Sequence, residues 1–465
     1  MSPPVHTERV LSTLEADGSR HWIHPKLARG RFLRRRRIVG YTLIALFVAL
    51  PFVRIGGRPA LLLDLVAREL DFAGAVFRPS DTLVLMLLGL TIVLAVFLVT
   101  ALFGRVWCGW GCPQTVYLEL VFRPIERLIE GSPGQQRARG HRLVRRAAKL
   151  AIYAGLAFVL ANVFLAYFVG TDRLATWVLE APSEHVGGFL VVCGVAALVM
   201  FDFGYFREQT CILACPYGRL QTVMIDRQSQ IVGYDAKRGE PRGKRSKKLP
   251  VVGAPAGDCV DCSACVAVCP TGIDIRKGLQ MECVGCAQCI DACDTVMDKL
   301  GRPRGLIRHT SQEELAGGPR RLLRVRTVVY PVLLAIAVTG LVWTAGTRAG
   351  ATVNVERVSG PSFVDLGDGR IAAQVRIAVE NDGDTTRRYH VSIVDAPDAT
   401  LQLPDASWQA PSRRAIEFPV FVDVPRTSLV HGERKIHLRI DDDAGFERIV
   451  EVTLLGPDSS GGGAP

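Results

Sequence analysis

Cysteine is the residue with chemistry in this 465-residue chain, which has 13 of them. Eight fall in two near-identical runs, Cys259-x-x-Cys262-x-x-Cys265-x-x-x-Cys269-Pro270 and Cys283-x-x-Cys286-x-x-Cys289-x-x-x-Cys293. Three thiolates at two-residue spacing wrap three corners of an iron–sulfur cubane, and the fourth cysteine of such a run reaches across to the other cluster. The spacing assigns Cys259, Cys262, Cys265 and Cys293 to one [4Fe–4S] cluster, and Cys283, Cys286, Cys289 and Cys269 to its neighbour. Structural zinc takes paired C-x-x-C knuckles, not two triples and a fourth. Disulfides belong to oxidising compartments, whereas the topology derived below puts these cysteines in the reducing cytoplasm. Asp294 stands where the first run has Pro270; this shifts the local turn and removes no ligand. Two adjacent clusters imply electron transfer.

Four more cysteines form a second set. Trp107-Cys108-Gly109-Trp110-Gly111-Cys112-Pro113 and Thr210-Cys211-Ile212-Leu213-Ala214-Cys215-Pro216 repeat one C-x-x-x-C-Pro element, each time at the end of an apolar segment. Such repetition of helix plus motif suggests two similar halves whose motifs face one another. If helical throughout, cysteines four apart share a face, close enough to grip one soft ion. If instead the proline opens the next helix, Cys112 and Cys215 sit at helix N-termini, where the dipole lowers a thiol pKa. Either geometry favours reactive thiolates, and Arg105, Arg207 and Arg219 push the same way. Soft sulfur selects Cu(I), zinc or iron–sulfur. Small buried hydrophobes at a helix junction would explain one such pair better than two in matched positions.

The elements that must position these groups are apolar. Five stretches stand out: Ile38–Val53, Leu83–Phe103, Leu150–Gly170, Val186–Phe206 and Val328–Ala345. All but the first approach the length of a bilayer crossing, and the first gains reach from its interfacial flanks. Arg34–Arg37 precede the first, Arg139, Arg142, Arg145, Arg146 and Lys149 the third, and Arg320, Arg321, Arg324 and Arg326 the fifth. By the positive-inside rule these flanks are cytoplasmic. Only Arg173 lies between the third and fourth stretches, and Arg348 follows the last. The N-terminus and the cluster segment are then expected in the cytoplasm and the C-terminus outside, and the formal charge of +11 is a topology signal, not a nucleic-acid footprint. No cleavable signal peptide is expected.

At this point the residues resemble a known family. Gly104–Thr115, Cys215-Pro216-Tyr217-Gly218-Arg219-Leu220-Gln221, and Tyr234-Asp235 with Arg238–Gly243 are similar to the FixG/RdxA/CcoG family, accessory proteins for assembly of cbb3-type cytochrome c oxidase. The resemblance runs from about Ile23 to the end of the cluster segment and is looser after the fifth stretch, where Asn381 matches a family-like strand end. It implies a bacterial inner-membrane protein that reduces Cu(II) to Cu(I) on the cytoplasmic side for the oxidase's copper-delivery route. Cys108, Cys112, Cys211 and Cys215 would then be the catalytic, copper-binding thiolates, and the eight clustered cysteines the iron–sulfur ligands. Implied partners are membrane lipid, copper ions, a cytoplasmic electron donor, and a copper transporter or oxidase assembly factors. Thiolate pairs read alone also suit quinol-linked or additional iron–sulfur sites. A quinone-linked electron-transfer subunit like NapH or NosR, or a scaffold with structural clusters, are the other classes.

The expected fold is a polytopic helical membrane protein of about five spans, with an inserted dicluster ferredoxin-like segment and a C-terminal immunoglobulin-like β-sandwich. Its parts are a basic leader (1–37), four spans with the first motif (38–206), a cytoplasmic segment (207–326) holding the second motif and the ferredoxin unit at about 250–300, a fifth span (327–346), a periplasmic sandwich (347–458) and a flexible Gly/Ser tail (459–465). Alternating strands are expected at Ala351–Val358, Ile371–Glu380, Tyr389–Val394, Ala415–Val424, Arg434–Ile440 and Arg448–Leu455, with turns at Asn381–Asp384 and Asp441–Gly445. This domain is read as a partner-binding module or a structural cap. Leu61–Asp81 reads as an amphipathic surface helix, and Pro241–Lys248 as a basic linker held near lipid headgroups. Cys193 and Met200, seven apart, could form a soft-ligand track, although both are ordinary packing residues. His21 and His24 read as surface residues, and the other histidines as forming no ligand constellation.

Overall fold

The computed structural model describes residues 12–457 apart from 16, 18, 79–80, 132–141, 244–256, 322, 348–349, 358–362, 382, 384, 404–406 and 413. Arg139, Arg348, the tail and the basic linker from residue 244 onward lie outside the described residues. Two compact units divide the chain, Met1–Leu341 and Val342–Pro465.

Among the described residues four helices have the length and composition to cross a bilayer: Thr82–Phe103, Leu143–Val169, Val186–Phe206 and Val325–Gly346. Leu83, Met86, Ile92, Phe158, Leu190, Leu198, Ile336 and Val342 on them are exposed, the pattern expected where lipid is the solvent and the helix satisfies its own backbone. The first expected stretch, Ile38–Val53, forms the end of the Arg31–Ala49 helix and a 3-10 turn at Leu50–Phe52. Arginines fill its first turns, so its apolar part is shorter than in the other four.

Leu61–Asp81 departs from expectation. It forms an antiparallel meander of strands Leu61–Asp64, Glu69–Phe72 and Ala75–Phe77, not an amphipathic helix. The Asp64 carboxylate accepts from the amides of Val66 and Ala67 at 3.0 and 2.9 Å, which folds the chain back after the first strand. Gly74, at φ +87, makes the second reversal.

Helix packing in the first unit centres on Phe122, which has no solvent exposure. It stacks on Phe203 at 4.3 Å and meets Tyr153 edge-on at 4.8 Å. The Tyr153 hydroxyl donates to the Phe122 carbonyl at 3.0 Å, which satisfies its buried oxygen. Small residues at Ala157 and Ala161 let the third long helix approach its neighbours.

The cluster segment is built on a two-stranded antiparallel ribbon, Ile231–Tyr234 with Ile307–Thr310, packed on helix Gln288–Lys299. Its internal repeat extends to the backbone: Ser263 and Ala287, each one residue after the second cysteine of a run, take left-handed φ values of +53 and +61. Each then caps a helix that carries the third cysteine of its run.

The second unit is the expected sandwich. One sheet orders Thr400–Gln402, Ala415–Pro425, Arg370–Asn381 and Ala351–Arg357, with Phe363–Asp365 also paired to Arg370–Asn381. The other orders Trp408–Ala410, Arg387–Ile393, Glu433–Asp442 and Glu447–Leu455. Alternate residues Ile371, Ala373, Val375, Ile377 and Val379, with Val420 and Val422 of the neighbouring strand, share one core with Ile436, Leu438 and Ile440 of the other sheet, the period-two pattern of a half-buried strand. Trp408 stacks on Phe418 at 3.9 Å across it.

Candidate metal centres

The two cysteine runs line two pockets of similar size, about 350 and 360 Å³. Cys259, Cys262, Cys265 and Cys293 line one, so the last cysteine of the second run closes the pocket of the first. Cys269, Cys283, Cys286 and Cys289 line the other, with Cys265 in the wall between them. Burial pushes the Cys286 and Cys293 thiols up to about 12, and Cys265 and Cys283 to about 11. Metal must therefore displace protons to bind there. The donor set is all sulfur in mostly apolar walls, which fits an iron–sulfur cubane. Asp294 leaves the helix intact and accepts from the Gly305 amide at 3.0 Å.

The C-x-x-x-C-Pro motifs repeat in three dimensions as well as in sequence. Gly104 ends the second long helix at φ 58, ψ −128, and Arg207 ends the fourth at φ 54, ψ −122. Four residues on, Cys108 lies in helix Val106–Trp110 and Cys211 in the helical turn Thr210–Ala214. Cys112 and Cys215 are then extended (ψ 125 and 110) and cap helices opened by Pro113 and Pro216. Of the two geometries left open by spacing, the helix opened by proline is the one found.

The four motif thiols lie within electrostatic reach of one another. Burial pushes Cys108 and Cys211 up to about 12, and their neighbouring thiols add to the rise. At these two, desolvation outweighs the neighbouring cations. Arg105 does oppose the rise at Cys108, but Arg219 donates to the Leu213 carbonyl at 2.8 Å and Arg207 is committed to Glu126. Sequence spacing gave no hint of Gln221, which is fully buried and accepts from the Cys108 thiol at 3.0 Å. Its amide donates to the Tyr217 hydroxyl at 2.7 Å and toward Thr100, so both halves orient it.

The first motif abuts the second pocket. A Cβ on Gly109 would stand 2.6 Å from the Val284 carbonyl and 2.9 Å from Cys286 backbone atoms, so only glycine permits this approach. Arg105 clamps the same junction, donating to the carbonyls of Met281, Cys283 and Gly218. Asp291, between Cys289 and Cys293, accepts from the Phe32 and Leu33 amides at 3.2 and 2.8 Å and so caps the first helix.

A buried ion network ties these parts together. Arg123 engages Glu119, pairs with Glu208 at 3.0 Å and donates to the Pro270 carbonyl, beside Cys269, at 3.1 Å. Arg207 pairs with Glu126 at 3.1 Å and Glu208 with Arg20 at 3.5 Å.

Cys193 and Met200 do not share an environment: Cys193 is exposed, whereas Met200 packs on the Phe122–Phe203 cluster. His21 pairs with Glu15 at 2.8 Å and His24 approaches Glu126 at 3.8 Å. One histidine does meet potential ligands, since the ligand atoms of His185, Glu180 and Glu184 lie within 4.8 Å of one another in an exposed loop.

A model of a 4Fe-4S dicluster domain matches residues 206–312, a 4Fe-4S binding domain matches 85–131, and the IG-like fold at the C-terminus of FixG matches 341–457. Nitrogen fixation protein FixG of Rhizobium meliloti (strain 1021) is 32% identical, over 93% of this chain and 92% of its own. Protein RdxA of Cereibacter sphaeroides is 34% identical, over 90% of this chain and 88% of its own. Among solved structures, a FixG-related protein from Vibrio parahaemolyticus covers 23% of this chain and 98% of its own, with 15% identity and a TM-score of 0.21.

Proposed function

This chain belongs to the FixG family, and from that premise we propose that it is a cupric reductase serving copper delivery during cbb3-type cytochrome c oxidase assembly. It is a membrane iron–sulfur redox protein. In our reading Cys259, Cys262, Cys265 and Cys293 hold one [4Fe–4S] cluster, and Cys283, Cys286, Cys289 and Cys269 hold the other. When bound, the clusters supply one-electron transfer. The copper substrate is held at Cys108, Cys112, Cys211 and Cys215.

The observation that carries the reading is the meeting of the two motifs beside the Cys283–Cys286 loop. Thiolates favour Cu(I), whereas Cu(II) prefers nitrogen and oxygen in tetragonal arrangements. A site built of sulfur therefore raises the driving force for reduction. Each Cu(II) takes one electron, supplied in turn by a cytoplasmic reductant. The basic flanks support an inner-membrane protein with N-terminus and clusters in the cytoplasm and the C-terminal domain in the periplasm, where it would meet assembly factors.

The test is an anaerobic Cu(II) titration of the reduced protein, following Cu(I) formation together with cluster oxidation. Replacing either motif pair by serine should remove most Cu(I) binding if the four thiols make one site, and about half if they make two. A quadruple serine variant with intact clusters that reduces Cu(II) at the wild-type rate would overturn the reading.

The match of a 4Fe-4S binding domain to residues 85–131 favours a second reading. That stretch has only Cys108 and Cys112, so a cluster there would need Cys211 and Cys215 as well. Two cubanes require about eight iron atoms per chain and three about twelve, which a metal analysis separates.

A further inference from the structure

Arg36 belongs to the run Arg34–Arg37, whose other members are exposed, yet only 1% of Arg36 reaches solvent. Burying a guanidinium carries a penalty of several kcal/mol unless charge and hydrogen bonds offset it. Its Nε donates to the Gly109 carbonyl at 2.6 Å, whereas the terminal nitrogens Nη1 and Nη2 are buried with no hydrogen-bond partner among the described residues. Two acceptors of its charge are at hand. One is Glu119, already engaged by Arg123. The other is the Cys286 loop, against whose backbone Gly109, the acceptor of the Arg36 Nε, is pressed.

The first pocket offers a contrast. Its cation, Arg276, is paired with Asp274 at 2.8 Å and Asp261 at 2.5 Å, so little net positive charge remains there. The second pocket has Arg36, whose terminal donors are unspent, and Arg105, whose donors go mostly to neutral carbonyls.

We propose that Arg36 sets the reduction potential of the cluster held by Cys283, Cys286, Cys289 and Cys269, making it the electron acceptor of the pair and the one that faces the Cys108–Cys112 motif. The proposal rests on the crossed ligand sets given above. A nearby fixed cation stabilises the more negative, reduced form of a cluster and raises its potential. With both clusters bound, the Cys259 set would supply one electron and the Cys283 set would accept it, with no bond broken and no proton moved. Arg36 is a positioning residue, joining the accepting cluster to the copper motif through the Gly109 carbonyl.

The experiment is an EPR-monitored redox titration of the full-length holoprotein, with iron counted in every sample. Arg36→Met should shift the one-electron equilibrium of one cluster at least tenfold toward the oxidised form, about 59 mV, and leave the other in place. Arg36→Lys, which keeps the charge, should titrate close to wild type. Arg36→Met with full iron and both clusters unmoved would overturn the proposal, because the guanidinium would then serve Glu119 alone. Should Arg36→Met not assemble, wild-type protein labelled with 15N-arginine decides. Pulsed EPR of the reduced cluster should show a 15N coupling that Arg36→Lys removes, and its absence overturns the proposal. An iron count of half the expected value would overturn the ligand reading itself, and the proposal with it.

Discussion

Gly109 and Asn381 show how much can rest on one side chain or its absence. Gly109→Ala places a methyl group against the Val284 carbonyl and the Cys286 backbone, neither of which can swing aside. Overpacking of this kind costs about 1–3 kcal/mol, here spent in parting the motif from the second pocket. Cluster content and Cu(I) affinity should survive, while stopped-flow reduction of Cu(II) slows roughly tenfold or more. Asn381, fully buried, donates to the carbonyls of Thr385, Ala410 and Pro411 and accepts from Gly383. Its loss strands several buried groups, so Asn381→Ala should destabilise the C-terminal domain by about 2–3 kcal/mol; pulse proteolysis of the purified protein measures this. Arg36 marks the limit of reading at this scale. Four consecutive arginines before an apolar stretch look alike as a topology signal, and only the tertiary approach of Gly109 and Cys286 singles out the third. Cysteine spacing was far more legible, because ligand geometry is enforced within a few residues of the same loop.

Among the elements, the two helix-plus-motif repeats show why one half tolerates what the other avoids. Gly104 takes its positive φ freely, whereas Arg207 does so with a Cβ, at about 1–3 kcal/mol. Its pairing with Glu126 and the nearby Glu208 offsets that strain. Arg207→Gly would relieve the backbone but leave two buried carboxylates short of a partner, a loss of about 3–5 kcal/mol. The net effect should be destabilising by about 2 kcal/mol, seen as a lower midpoint in a thermal melt of the detergent-solubilised protein. The repeat was legible as C-x-x-x-C-Pro twice over, and the six strands as simple alternation. The Leu61–Asp81 meander was not, since a leucine-rich stretch with scattered charges satisfies a helical pattern too; Asp64 and Gly74 were the turn signals that mattered. The ion network Arg123–Glu208–Arg20 was invisible because its members lie far apart in sequence.

For the whole molecule, the decisive quantity is the side on which each unit stands. A reporter active only outside the cytoplasm should work when fused after Thr347 and fail after Gly257; the reverse pattern would place the clusters on the oxidising side. A third fusion after Gly57 decides whether the Arg31–Ala49 helix counts as a crossing, because a crossing there puts Gly57 and the N-terminus on opposite sides.

The Asp291 cap carries a consequence for biosynthesis. The carboxylate that closes the first helix comes from a residue 258 positions later than the Leu33 amide it accepts from. A ribosome thus releases the N-terminal helix long before its cap exists, and the cap sits on the helix between two cysteines of the second run. Docking of the first helix can therefore be completed only after the second cysteine run has been synthesised and its helix has formed, which makes this contact a late step in the assembly of the chain.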